Sequence, residues 1–318
     1  MRIISDSDIR EHLSMADTIG LMRSLFTELA EGHAHLPDRT VLNLENSQDA
    51  VLFMPGYLPR RQGLGIKVIS VFPSNLARKI PTASAKILLL DTETGESLAL
   101  LDGTSITAMR TAAVSAVAAD ILAREDADTL GIFGAGTQGR SHLEAIKVVR
   151  SLREVMIFDP DPLRAKQMIH GLPEAWKAGI RINAGTSPDE LIRHCSIIIT
   201  ATTSETPVFT GRLLRPGTHV GAVGSYKPHI REIDGDAVSR MRIFVDRIAD
   251  ALEEAGDLII PIQTGQITES DILGELPDLI TRRIQGRISA EDITFFKSVG
   301  LAVEDIIVAR HIYDIIAD

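Results

Sequence analysis

The hydrophobic pattern changes period twice along this chain, and those changes divide it. Between residues 5 and 32 apolar side chains recur at helical spacing through Ile19, Met22, Phe26 and Leu29, up to Gly32. This predicts one or two helices, with Asp17 as a candidate N-cap. From Arg39 onward short runs separated by turn residues take over, at 40–44, 50–54, 65–71, 86–90 and 97–101, and read as strands. The last two flank Thr92-Glu93-Thr94-Gly95, a hairpin signal. An alanine-rich helix is predicted over 106–123. Beyond Gly131 strands and helices alternate, with strands predicted at 130–133, 155–158, 180–183, 196–200, 219–223 and 242–245. That is the rhythm of an α/β domain. Residues 267–289 are more polar and irregular, and a final helix over 298–317 is apolar through Leu301, Val308, Ile312 and Ile315.

One turn in the α/β half carries chemistry. Gly134-Ala135-Gly136-Thr137-Gln138-Gly139 follows the buried run from Thr129 to Phe133 and precedes a predicted helix over 141–149. Asp159 ends the next predicted strand, twenty residues beyond Gly139. Strand, Gly-x-Gly-x-x-Gly, helix, strand and acid describe the first βαβ unit of a dinucleotide-binding fold. The first glycine permits the tight turn, the second lets backbone approach a pyrophosphate, and the third lets helix pack on strand. The helix N-terminus offers free N–H groups to the phosphates. Asp159 can accept a hydrogen bond from a ribose 2′-hydroxyl and would repel a 2′-phosphate. Pro160, Asp161 and Pro162 follow it without a cation, so NAD(H) is favoured over NADP(H). Asp159 could equally open the turn that caps a helix from Pro162 onward, and the two roles are compatible. Thr200, Ala201 and Thr202 end a predicted strand at the carboxyl edge, where such sheets bind ligands. Thr111, Val223 and Gly224 are counted with the same cofactor contacts.

Composition narrows the class. The 318 residues suffice for two domains, and 44% hydrophobic with 24% charged residues is an ordinary globular balance. Lys plus Arg number 33 against 43 Asp plus Glu, a net charge of −10 with no basic run, which argues against a nucleic-acid partner. Cys195 stands alone beside Ile197, Ile198 and Ile199 and reads as a small buried hydrophobe, with no disulfide and no metal cluster. Residues 1–10 lack the apolar core of a secretory signal. No apolar run is expected to approach the ~20 residues that span a bilayer, so a cytoplasmic protein without a membrane partner is expected.

Three cations stand out in the β-rich half: Arg39, Lys67 and Arg110. Lys67 lies inside an apolar run, where a charge needs a partner or a cavity. Arg110 lies in the bridging helix. A guanidinium grips a carboxylate with two parallel hydrogen bonds and a lysine adds a point charge, so three such groups converging would suit a small carboxylate substrate. Taken singly, Arg39 reads as an ordinary surface cation.

The chain resembles the ornithine cyclodeaminase/μ-crystallin family over nearly its whole length. The resemblance rests on Pro37-Asp38-Arg39, Met54-Pro55, Gly65-Ile66-Lys67, Asp102-Gly103 through Arg110-Thr111-Ala112-Ala113, Gly134 to Gly139, Glu254-Ala255-Gly256-Asp257 and Ser298 to Asp305. It implies a Rossmann domain at 116–297 that binds the nucleotide, a β-rich domain at 1–115 and 298–318 that binds substrate, and a homodimer joined by the β-rich domains. It also places Arg39, Lys67 and Arg110 on the family's substrate-carboxylate positions, with Leu52 and Met54 alongside.

Two departures from the family pattern select among its reactions. Members that cyclise ornithine carry an aspartate after the turn that follows the fifth Rossmann strand, where this chain has Ser225, and a glutamate where it has Leu52. Leucine cannot accept a hydrogen bond, and neutral serine is a poor base near pH 7. The carboxylate clamp remains while the grip on a second amine is lost. The expectation is an NAD(P)H-dependent reductase of a small carboxylated imine such as Δ1-pyrroline-2-carboxylate, with Lys67, Arg110 and Ser225 as catalytic candidates and Ser225 or water relaying the proton. Ornithine cyclodeaminase, an alanine-dehydrogenase-like enzyme and a non-catalytic binding protein for a nucleotide or small acid are the alternatives. His142 and His219 read as packing residues, His229 as a loop residue near Ser225, and Glu253, Glu254 and Asp257 as a helix end with its capping region.

Overall fold

Two serines open the first helices. In α1 (Asp6–His12) and α2 (Met15–Ala30), Ser5 and Ser14 accept from the third residue of the helix, and Asp8 and Asp17 reach back to the cap backbone. Asp17 is therefore the reciprocal half of a capping box and not the cap itself. The computed structural model describes residues 1–45 and 47–317. The chain divides into Met1–Arg110 with Gly300–Asp318, and Thr111–Val299. One boundary, 110/111, falls inside the long helix α3 (Gly103–Leu122) and the other at 299/300, where 115/116 and 297/298 were expected.

The first unit is built on six strands: β1 (Arg2–Ile4), β2 (Thr40–Asn43), β3 (Ala50–Leu58), β4 (Gly63–Val71), β5 (Ala83–Leu90) and β6 (Ser97–Asp102). β2 to β6 form an antiparallel meander, and β1, which the sequence pattern missed, runs parallel beside β6. Strand alternation sends Ala50, Leu52, Met54 and Leu58 to one buried face. Met54 pairs with Lys67, and Lys67 with Ile87, so the lysine shares that face. The C-terminal helix Ala302–Ala317 covers it. This helix starts later than predicted, after an irregular stretch. Leu301 precedes it, and Ile315 is 40% exposed, so neither belongs to its apolar face. On the opposite face Pro55, Ile66, Leu88 and Leu100 pair in one row across four strands, each half-buried.

The second unit holds eight parallel strands: β7 (Thr129–Phe133), β8 (Glu154–Phe158), β9 (Arg181–Ala184), β10 (Ile197–Thr200), β11 (His219–Ala222), β12 (Met241–Val245), β13 (Ile272–Glu275) and β14 (Ile293–Lys297). Their order is β13-β12-β14-β11-β10-β7-β8-β9. β7 to β9 run outward one way and β10 starts the return on the other side of β7, so the order reverses between β7 and β10. Ligands in such sheets lie outside the carboxyl ends at that point. Helices on both faces leave β7 and β10 wholly buried, which explains their continuous apolar runs. The sequence reading placed the first six of these strands to within a residue, but β13 lies in the stretch taken as irregular and β14 was not foreseen. One expectation is overturned: α3 is long and apolar enough to cross a bilayer. It is mostly buried within the protein, as core helices are.

Candidate active site

In the first unit, strand register and the C-terminal helix bring together four buried charges. Lys67 Nζ lies 2.6 Å from Asp305 Oδ2, both side chains at most 1% exposed. Arg110 Nη1 donates to Glu304, and its Nε lies 3.3 Å from Asp305 Oδ2, an ion pair outside hydrogen-bond geometry. Thr107 Oγ1 adds a 2.7 Å bond to Asp305 Oδ1. Two cations face two anions, so the cluster is neutral when all are ionised. Burial lowers the Lys67 pKa to about 8, against the pull of Asp305. At Arg110 burial opposes the charge, yet Asp305 and Glu304 outweigh it and hold the pKa above its ordinary value. Asp305 is kept acidic despite burial by Arg110 and Lys67.

Gly300 ties the remaining cation to this cluster. Its carbonyl accepts from Arg39 Nη2 at 2.6 Å. Its φ of +83° suits glycine, and a Cβ there would stand 2.6 Å from Arg110 Nη1. The three predicted cations thus converge. Arg110 is a core ion-pair partner as well as a candidate ligand, and Arg39 is half-buried. Leu52 and Met54 pack with Ala50 and Ala302 in an apolar cluster on the same sheet face.

In the second unit the glycine turn has the geometry expected of it. Gly134 adopts φ +101°, and a Cβ on Gly139 would lie 2.0 Å from Gly134 O. A Cβ on Gly136 would meet nothing nearer than Arg164 Nη2 at 3.9 Å, so the turn is open where a pyrophosphate would approach. α4 (Thr137–Val149) begins earlier than predicted, and no side chain caps its N-terminus. Asp159 Oδ2 accepts from Ala135 N at 3.0 Å and Oδ1 from Asp161 N at 3.1 Å. Asp161, not Asp159, caps the helix that starts at Pro162. The sequence around Asp159 shows no adjacent cation, but folding brings Arg164 Nη1 to 3.6 Å from it.

At the carboxyl ends of β10 and β11, the predicted contacts Thr200, Thr202 and Gly224 all bond to Glu232, which the sequence reading did not single out. Ala201 and Val223 extend the sheet ladder through Phe133 and Thr200, and Thr111 lies half-buried in α3. Burial, then Asp257, raises the pKa of Glu232. Ser225 is fully buried, and its hydroxyl donates to Ile230 O at 2.7 Å. That commitment does not fit the proton relay expected of it; the residue shapes the loop. Lys297 reaches Ser225 O at 2.5 Å and Asp257 Oδ2 at 2.9 Å. Asp257 is a buried anion that also accepts from Glu232 N and Ile233 N, so it is more than a capping residue. Lys297 had a legible signal, a charge ending an apolar run.

The three histidines considered from the sequence sit in different surroundings. His142 bonds Gln138 O and Ser115 Oγ, and burial lowers its pKa to about 4. His219 is buried beside Thr294, and His229 is exposed. Burial pushes the Cys195 thiol up to about 12, so it is inert. Among the described residues no group of three or more His, Cys, Asp or Glu is placed to hold a metal ion.

Comparison with known proteins adds to this geometry. The model of the ornithine cyclodeaminase/mu-crystallin family matches residues 2–318. A Δ1-pyrroline-2-carboxylate reductase of Bacillus cereus is 37% identical over 99% of this chain and 96% of its own. The structure of Thermococcus litoralis Δ1-pyrroline-2-carboxylate reductase with NADH and L-proline superposes with a TM-score of 0.96 at 39% identity, covering 99% of this chain and 97% of that one. An archaeal alanine dehydrogenase dimer with bound NAD gives a TM-score of 0.91 at 30% identity, over 99% of this chain and 95% of the other.

Proposed function

Because this chain belongs to the ornithine cyclodeaminase/mu-crystallin family, we propose that it is a reductase that converts a small carboxylated cyclic imine, Δ1-pyrroline-2-carboxylate, to L-proline with NAD(P)H. The observation that carries this reading is the company of the buried cations. Lys67 and Arg110 share their cluster with Glu304 and Asp305, while the neighbouring sheet face is apolar through Leu52, Met54 and Ala302. A carboxylate can be held there. Leu52 gives a second, charged amine no partner, which disfavours ornithine and suits a pyrroline ring.

Arg39 and Arg110 are assigned to the substrate carboxylate. The reduced nicotinamide, when bound, supplies a hydride to the imine carbon. The imine nitrogen then needs one proton, and Lys67 is assigned to give it. Its lowered pKa leaves it charged at neutral pH yet ready to release a proton, as an efficient general acid requires. Asp305 keeps the ammonium in place and stabilises its charge. The open turn at Gly136 and the uncapped start of α4 are assigned to the pyrophosphate, and Asp159 to the adenosine ribose. NAD(H) is the favoured cofactor, and Arg164 beside Asp159 tempers the repulsion of a 2′-phosphate. The half-buried apolar row Pro55–Ile66–Leu88–Leu100 supports a homodimer joined through the six-stranded sheet, a second copy of this chain being the partner.

The alanine dehydrogenase likeness supports a second reading, reductive amination of a keto acid, which would use the same clamp. Initial rates of NADH oxidation with Δ1-pyrroline-2-carboxylate, with pyruvate plus ammonia, and ammonia release from ornithine with NAD separate the readings. The imine is expected to be the best substrate, and fast ammonia release from ornithine would reverse the order.

A further inference from the structure

We infer that Glu232 is a positioning residue that locks together the two loops on which the nicotinamide half of the cofactor rests. This builds on the dinucleotide reading of the crevice and is independent of which imine is reduced. Glu232 has no role in the proton or hydride chemistry above, yet it is fully buried. Its carboxylate takes four donors. Thr200 Oγ1 at 3.0 Å and Gly224 N at 2.7 Å reach Oε2, while Thr202 N at 2.7 Å and Thr202 Oγ1 at 2.8 Å reach Oε1.

These donors come from two different segments. Thr200 ends β10 and Thr202 opens the loop after it, whereas Gly224 lies in the loop after β11. One carboxylate therefore bridges two adjacent loops at the carboxyl edge. A second observation shows how close those loops come. A Cβ on Gly224 would stand 2.2 Å from Thr202 O and 2.6 Å from Glu232 Cδ, so the backbones touch there and no other residue fits. Behind the carboxylate, the Glu232 and Ile233 N–H groups are fixed by Asp257, which is paired with Lys297.

The place of this bridge decides what it positions. The glycine turn after β7 and Asp159 after β8 fix the pyrophosphate and adenosine ends on one side of the switch point. The other half of a dinucleotide must then lie over the ends of β10 and β11, which Glu232 clamps. A carboxylate with all acceptor sites filled by donors cannot be replaced by an amide without facing N–H against N–H. Glu232→Gln would thus let the two loops separate. Gly134 lies against the Ala201–Thr202 backbone, whereas Gly139 packs on Gly134 and Ile132, and Asp159 accepts from Ala135 and Asp161, with no bond to either loop.

The test compares two ligands. NADH and ADP-ribose, which lacks the nicotinamide, are titrated into the full-length protein, Glu232→Gln and Thr202→Val, with no imine present. Loss of a charge-assisted bond predicts NADH affinity about ten-fold or more weaker in Glu232→Gln, with ADP-ribose affinity changed by less than about two-fold. Thr202→Val removes one hydroxyl donor and keeps the backbone bond, so it should move NADH affinity in the same direction by less, and it decides the matter if Glu232→Gln fails to fold. Equal losses for both ligands, or unchanged NADH affinity, would overturn the inference. A wild-type chain that binds neither ligand would overturn the dinucleotide reading and the inference with it.

Discussion

At Lys67 burial and an ion pair pull in opposite directions, and their balance sets when a proton is available. Burial wins enough to bring the pKa to about 8, while Asp305 at 2.6 Å keeps the charged form populated below that. If Lys67 donates the proton, kcat/KM for imine reduction should fall as pH rises through about 8, and Lys67→Met should lose about 10²–10⁴-fold of the rate. The loss on the alkaline side is one of activity, not stability. The folded pKa lies below the ordinary lysine value of 10.5, so between these pH values the unfolded chain holds more protons and folding is not weakened. A flat profile from pH 7 to 9 would remove Lys67 from the proton step. Arg110 and Arg39 separate differently. Arg110→Ala would remove the buried ion pair to Glu304 and leave Asp305 with Lys67 and Thr107, at a cost of about 3–5 kcal/mol, lowering the urea midpoint as well as raising KM. Arg39→Ala removes a half-buried cation and should raise KM with little change in midpoint. Equal midpoints for the two variants would contradict the distinction.

At the scale of elements, β14 shows what a sequence makes legible and what it hides. A charge inside an apolar strand is a readable anomaly, and it exposed Lys67. Lys297 carries the same signal at the end of Ile293–Lys297, but the polar stretch before it obscured the strand. Its partner Asp257 sits at the start of the helix Gly256–Gln263, where an acid looks like ordinary capping. The partners of buried charges come from distant segments. Lys67 and Asp305 are 238 positions apart, and no local pattern links them. The glycine turn, by contrast, was legible because its requirements are local. Gly134, Gly139 and the acid at the end of β8 lie within one βαβ unit. Lys297→Met should leave Asp257 as an uncompensated buried charge and destabilise the protein by about 3–5 kcal/mol, read as a lower urea midpoint. An unchanged midpoint would mean that Asp257 draws its compensation from the Glu232 and Ile233 N–H groups alone.

At the scale of the whole molecule, strand alternation leaves the six-stranded sheet with one face under the C-terminal helix and one apolar face half-exposed. A monomer seldom leaves such a patch without a partner. Ile66→Lys, at the centre of the Pro55–Ile66–Leu88–Leu100 row, is expected to convert a dimer into a monomer in light-scattering measurements. A wild-type monomer would contradict the proposed dimer. Fold class was legible from the change of period along the chain, since alternation and helical spacing report burial directly. The site was half legible, because the cations are visible in sequence and the carboxylates that hold them are not.

In the proposed reaction, hydride passes from a nicotinamide to the carbon of a carboxylated cyclic imine whose carboxylate is assigned to Arg39 and Arg110 and whose nitrogen takes its proton from Lys67. The most direct measurement incubates the protein with Δ1-pyrroline-2-carboxylate and NADH carrying deuterium at its reactive carbon, and analyses the product by mass spectrometry and NMR. L-Proline labelled with deuterium at its α-carbon is the predicted result. Absence of labelled proline, together with ammonia release from ornithine, would contradict the account.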